Sequence, residues 1–259
     1  GNQASVSSAT FTQFGKEVVI KQFIYLETLQ IELRALKATS PHSNVMRCFG
    51  SNLKERFIVL ERLCLGLGEH CKNRKWKSPF PAEDEPVDIL HGICSGLAHC
   101  HSHDVVHRDL TIDNVLLRKT GPKFEAVISD FGVSGFLSSE MQHPNRAWGQ
   151  PRGSLRHYAP EAVRKERTYS ECGGYYAHKA CDGYYTEKAD VFMFGTLMYE
   201  LAFAHKWGKK GAFFAEYRTP DAIAAVAQGN RPALDKFTKL YADVMEQAWH
   251  QLPSNRPLA

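Results

Sequence analysis

Two short polar runs constrain this chain more than anything else in it. The first is His107-Arg108-Asp109-Leu110-Thr111-Ile112-Asp113-Asn114. The second, Asp130-Phe131-Gly132, begins sixteen residues past Asn114. One carboxylate can accept a hydroxyl proton. An amide oxygen and a second carboxylate are hard donors of the kind that hold magnesium. Taken singly, Asp109 and Asp130 read as turn residues beside strands. Taken together, in this order and at this spacing, they argue for a site that moves a phosphoryl group, where positioning and charge neutralisation are most of the work.

Composition narrows the class. A chain of 259 residues can bury a large core as one large domain or two lobes. A formal charge of +4 makes no strong case for nucleic acid or a membrane surface. Seven scattered cysteines form no even, compact framework and point to a reducing compartment. The expected location is therefore intracellular and cytoplasmic. No signal peptide is visible, and the apolar stretch Val191 to Ala204, broken by Gly195, Thr196 and Glu200, reads as a buried helix.

Hydrophobic periodicity divides the chain. Val18-Val19-Ile20-Lys21 reads as a strand rich in β-branched residues. Phe23 to Ala38 has helical spacing, with Ile24, Leu29, Leu33 and Leu36 on one face and Pro41 as its stop. Val45 to Phe49 and Phe57 to Leu60 read as strands joined by a turn at Ser51-Asn52. Lys72 to Pro86 looks like a loop. Val87, Leu90, Cys94, Leu97 and His101 repeat at helical intervals, and Val191 to Leu201 and Leu240 to Trp249 also read as helices. Glu171 to Tyr185 looks like a loop insertion. Cys172, His178 and Cys181 fit no standard zinc-ligand spacing.

The two polar runs resemble the catalytic and metal-binding loops of eukaryotic protein kinases, and the resemblance covers nearly the whole chain. It implies a two-lobed α+β fold: residues 1–63 as a small sheet lobe with the hinge, and 64–259 as a mainly helical lobe. By that likeness the domain lacks its first strand and its last helix. The resemblance makes Asp109 the catalytic base and Asn114 and Asp130 the Mg²⁺ ligands. Lys21 becomes the amine that binds the ATP phosphates, paired with Glu32 or, in another helix register, Glu27. Gly1, Ala4 and Val6 match the end of the glycine-rich loop, with Ala4 in place of its third glycine. Val19 stands where alanine is usual before the strand lysine, Leu60 is the gatekeeper, and Glu61 and Leu63 bind the adenine edge through their backbone. His42-Ser43-Asn44 matches the family's His-Pro-Asn turn, with serine for proline.

Structural and regulatory roles follow in the same way. Gly153 to Glu161 resembles the end of an activation loop, with Glu161 in a buried ion pair with Arg256. Asp190 accepts hydrogen bonds from the catalytic-loop backbone. Cys48, Leu36, Phe131 and His107 form a stack between lobes, and Gly132 completes the metal-binding run. Arg108 implies control by phosphorylation from an upstream kinase. Ser138 and Ser139 are the preferred acceptors over Ser134, and Ser154 orients the catalytic loop. The implied partners are protein substrates, with no nucleic acid and no membrane span.

The chain also departs from the pattern. Thr111 stands where Ser/Thr kinases place Lys, and Asp113 where tyrosine kinases often place Arg. The Gly153-Ser154 pair resembles the Ser/Thr-specific tyrosine-kinase-like group. Two readings stand side by side: an active kinase directed at Ser or Thr, and a pseudokinase that regulates partners by shape. Small-molecule phosphotransfer is the weaker third, because the Ala159-Pro160-Glu161 segment supports peptide docking in kinases.

Overall fold

The structure is a computed structural model, and it describes residues 4–11, 16–74, 84–137, 157–163, 186–203 and 219–259. Strands β1 (Ala4–Phe11), β2 (Lys16–Phe23), β3 (Cys48–Asn52) and β4 (Phe57–Glu61) make a four-stranded antiparallel sheet in the order β1-β2-β4-β3. Helix α1 (Leu26–Ala38) packs on it through Thr28, Leu29, Glu32, Leu33, Ala35 and Leu36. Those positions recur every three or four residues, so one stripe of the helix is covered.

Beyond this sheet lie β5 (Leu65–Gly66), α2 (Leu67–Arg74), α3 (Asp84–Ser102) and β6 (Val105–Val106). Strands β7 (Val115–Thr120), β8 (Lys123–Ile128) and β9 (Gly135–Phe136) follow. Helices α4 (Glu187–Phe203), α5 (Thr219–Ala227) and α6 (Lys239–Ala248) complete the described elements. Two small sheets, β5-β7-β8 and β6-β9, frame the polar loops. Helix α4 is buried on almost every side, from Ala189 to Ala202, so it needs no polar face. The architecture is a two-lobed α+β fold.

Several boundaries differ from the sequence expectation. Phe23 ends β2, its amide donating to the Arg56 carbonyl at 2.8 Å, so α1 starts three residues late and Ile24 lies 53% exposed. The strand expected at Val45–Phe49 is shifted to Cys48–Asn52. Val45 forms only an isolated bridge with Ile128, and Ser51 and Asn52 pair within the ladder. The turn falls at 53–56 instead, where Arg56 takes the left-handed φ of 54°. Val87 is exposed, so it does not belong to the buried face of α3 that carries Leu90 and Leu97. The loop expected from Lys72 to Pro86 is helical at both ends. Residues 138–156 and 164–185, including the expected insertion and Cys172, His178 and Cys181, lie outside the described residues.

The turn at His42–Asn44, after α1, ties the parts together. The Asn44 side chain donates to the Ala126 carbonyl at 2.8 Å, and its own carbonyl accepts from the Ile128 amide at 2.9 Å. Methyl-free Gly92 and Gly96 allow this approach. A Cβ on Gly96 would sit 2.6 Å from the Asn44 carbonyl oxygen.

Candidate active site

Strand β2 sets the first group. Alternation along paired strands puts Ala4, Val6, Val19, Lys21 and Leu60 on one face, because Val6 lies opposite Lys21 and Leu60 opposite Val19. The Lys21 amine donates to both Glu32 oxygens, at 2.9 and 2.7 Å, and to Asp130 Oδ1 at 2.9 Å. The register of α1 chooses Glu32, which is buried, over Glu27, which is exposed. Burial pulls the Lys21 pKa down, but Glu32 and Asp130 more than offset it, and the net shift is upward. Burial pushes Glu32 up to about 7 against the pull of Lys21. Burial would also raise Asp130, yet the charge and hydrogen bond of Lys21 hold it below the ordinary carboxylate range.

The run His107–Asn114 is held from below. Asp190, fully buried on α4, accepts the His107 amide at 2.7 Å and the Arg108 amide at 2.8 Å. Burial alone would raise its pKa, but the His101 imidazole 3.0 Å away and these amides keep it low. His107 is itself fully buried. Its Nε2 meets the Ser129 carbonyl at 2.9 Å, and its ring stands edge-on to Phe131, centroids 4.8 Å apart. Burial lowers its pKa, against the opposing pull of Asp190 and the Ser129 carbonyl. Leu36 and Phe131 share the same core, and Cys48 packs against it.

Asp109 and Asn114 meet one 3₁₀ turn apart. The Asn114 amide nitrogen donates to the Asp109 carbonyl and to Asp109 Oδ2, both at 2.8 Å. That leaves the Asn114 side-chain oxygen as a donor atom for a cation. Ser129 then brings Asp130 alongside: its amide and its hydroxyl both bond the Asn114 carbonyl at 2.9 Å. Burial pushes Asp109 up to about 7, opposed by the hydrogen bond from Asn114 and raised further by Asp130. Arg108 and Asp130 both take left-handed backbone, with φ of 69° and 60°. For arginine this is a strained conformation, of a kind that clusters at working sites. Gly132 packs directly under α1: a Cβ there would lie 3.2 Å from Asp130 Oδ1 and in ordinary contact with Glu32 and Thr28 at 3.4 Å.

Comparison with known proteins bears on what this cluster is. The whole chain, residues 1–259, matches the family model for protein tyrosine and serine/threonine kinases. The chain belongs to that kinase family. It is 30% identical over 176 residues to mitogen-activated protein kinase kinase kinase 13-A of Xenopus laevis, covering 66% of this chain and 15% of that protein. It is 27% identical over 274 aligned positions to the light-sensor protein kinase of Ceratodon purpureus, covering 99% of this chain and 20% of that protein. A Dictyostelium discoideum protein named as a serine/threonine-protein kinase is 29% identical over 168 residues, 64% of this chain and 15% of that protein. The chain therefore spans a fifth or less of the length of these relatives.

Within the kinase domain the structure places the remaining expected residues as follows. Leu60 is buried at the end of β4, and Leu63 packs against the core. The Glu61 side chain is clamped by Arg118 of β7, Nε to Oε1 at 2.9 Å and Nη2 to Oε2 at 2.8 Å. Arg256 forks onto Glu161, at 2.6 and 2.8 Å. Arg108 is buried with its guanidinium against Gly135, where a Cβ would overlap it. Ser134 is buried and donates its hydroxyl to the Phe131 carbonyl at 2.8 Å. Gly1, Ser138, Ser139 and Ser154 lie outside the described residues. Sequence reading missed Arg118 and His101, and also Glu200, whose Oε2 lies 2.7 Å from His157 Nε2. Their partners are 57, 89 and 43 positions away, so no local pattern could have shown them. Among the described residues no helix is long and apolar enough to cross a membrane.

Proposed function

We propose that this domain transfers the γ-phosphate of MgATP to a serine or threonine hydroxyl of a protein. The observation that carries the reading is one amine, Lys21, held between Glu32 and Asp130 while Asn114 holds Asp109 beside them. In this reading residues 1–63 and 64–259 are the two lobes that close on the nucleotide.

The residues fit the cofactor. Asp130 offers the oxygen left over from its bond to Lys21, and its side chain is 50% exposed. Asn114 offers its amide oxygen. Two hard oxygen donors plus phosphate oxygens suit Mg²⁺, which keeps few protein ligands. Asp130 and Asn114 alone would leave the rest of a six-oxygen shell to phosphate oxygens and water. Bound MgATP supplies the transferable phosphoryl group and the cation that offsets its charge.

The chain's own groups do the rest. Lys21, fixed by Glu32, binds the α and β phosphates. Val6, Val19 and Leu60 line the face of the sheet where a base can lie, with the Glu61 and Leu63 backbones at its edge. Ala4 and Gly1 belong to the loop over the phosphates. Asp109, oriented by Asn114, receives the hydroxyl proton of the substrate. His107 and Asp190 keep the loop in shape, Phe131 shares its core with Leu36 of α1, and Gly132 packs under that helix. Phosphate on Ser138 or Ser139, placed there by an upstream kinase, would be answered by Arg108, and Ser154 would steady the catalytic loop. Gly153-Ser154 and the serine/threonine-kinase relative support the choice of hydroxyl. A reducing cytoplasm suits the free cysteines among the described residues.

The alternative that the experiment has to exclude is a pseudokinase, raised by one departure from the pattern. Thr111 is buried at the position where a cation would face the γ-phosphate. The experiment is γ-labelled ATP with magnesium and a generic protein substrate, followed by phosphoamino-acid analysis. Label on serine or threonine is the expected result. A magnesium-dependent thermal shift with ATP but no transfer would replace the enzyme by the pseudokinase.

A further inference from the structure

Helix α1 touches the second polar run and the segment that follows it, at two levels. At the first, Thr28 and Glu32 close on Gly132, whose absent Cβ would meet both at 3.4 Å. At the second, two residues beyond Glu32, the exposed Arg34 lays its guanidinium over Phe136, with its central carbon 3.9 Å from the ring centroid. That is close contact with the negative face of the ring, the geometry in which a flat, weakly hydrated cation is attracted to it.

Phe136 is tied to the catalytic loop. It sits on β9, where it pairs with Val105, and Gly135 pairs with Val106. The Leu137 amide extends the ladder by donating to the Asp104 carbonyl at 2.9 Å. Strand β6 runs directly into His107-Arg108-Asp109, and the Arg108 guanidinium rests on Gly135. The ring is thus fixed to the elements that carry Asp109, and the cation to the helix that carries Glu32.

We propose that Arg34 and Phe136 are a positioning pair that holds α1, and with it Glu32, against the short sheet leading to Asp109. Neither residue touches the nucleotide or the reacting atoms. The inference rests on the kinase reading, and it adds to it a contact that sets how often the Lys21–Glu32 pair is in place when substrate arrives.

Plain packing and cation–π attraction make different predictions for ring chemistry. Phe136→Leu keeps an apolar side chain and removes the ring quadrupole, whereas Phe136→Trp keeps and strengthens the quadrupole. The expected result is a kcat about two- to five-fold lower in Phe136→Leu, with melting temperature and KM for peptide unchanged, and wild-type kcat in Phe136→Trp. Arg34→Gln should match Phe136→Leu, Arg34→Lys should fall between, and the Arg34→Gln/Phe136→Leu double variant should be no worse than either single one. Amide hydrogen exchange along α1 gives the same ranking without any turnover, with faster exchange in Phe136→Leu and Arg34→Gln. Equal behaviour of Phe136→Leu and Phe136→Trp in both assays, or losses that simply multiply in the double variant, overturns the pair. If the wild type transfers no phosphate, the kinase reading fails, and the exchange ranking alone decides the pair.

Discussion

The ion pair between Glu161 and Arg256 offers the largest single perturbation. Arg256 is among the largest fully buried side chains, and its fork meets both Glu161 oxygens, at 2.6 and 2.8 Å. It also bonds the Lys188 carbonyl at 2.9 Å and the His250 carbonyl at 2.8 Å, and lies 5.0 Å from the centroid of Phe192. Arg256→Ala therefore leaves a buried carboxylate and two carbonyls without their donor. Breaking a buried pair from one side costs about 3–5 kcal/mol. That is a large part of the roughly 5–15 kcal/mol by which domains are stable. For a domain of this size it corresponds to a fall in Tm of roughly 6–20 °C. Arg256→Lys should rescue little, because one ammonium cannot reproduce the fork. Replacing both partners, as Arg256→Met with Glu161→Met, should recover much of the loss, since no charge is then stranded. Melting curves followed by circular dichroism give the answer. An Arg256→Ala domain that melts within about 2 °C of wild type would refute the reasoning.

Other expectations can be checked separately. Gly135→Ala forces a methyl into the Arg108 guanidinium and should lower stability by about 1–3 kcal/mol in denaturant titrations. Asp190→Asn removes the charge that anchors the His107 and Arg108 amides, and hydrogen exchange at those two amides should speed up while α6 exchanges as before. His42 stacks 4.3 Å from His99, and burial, then the charges of His99 and His103, lower its pKa. Its neutral form is the one the fold favours, so the unfolded chain binds the proton more readily. Stability from this group is then present above the unfolded value of about 6.5 and falls as the pH drops through it toward the depressed folded value. His42→Gln should flatten the acid side of a Tm-versus-pH curve.

Much of the site was legible because its chemistry is local. His107 to Asn114 and Asp130 to Gly132 each fit within one loop, so their residue types and order could be read together and matched to the kinase pattern. The β-branched strand and the helical period placed Lys21 and Glu32 on their elements, but their pairing came only from family resemblance, and Glu27 remained open until the register of α1 was fixed by packing. Asp190 and the Glu161–Arg256 pair were reachable only through family resemblance, because their partners lie far along the chain. The strands β7 and β8 were missed: Arg118, Lys119 and Lys123 interrupt the apolar pattern, and their pairing partners supply the order that the sequence lacks. Strand β3 was displaced because Val45 and Met46 are as apolar as a strand, yet they bury against β8. Arg118, His101 and Glu200 left no signal, since long-range pairing of charges has no sequence period.

The most direct test of the account is to separate nucleotide binding from transfer at Asp109. Asp109→Asn keeps the size of the side chain and removes its capacity to take a proton. The account predicts that this variant binds MgATP as the wild type does, by thermal shift, while single-turnover transfer to protein falls by about 10²–10⁴-fold. Transfer at the wild-type rate in Asp109→Asn would contradict it.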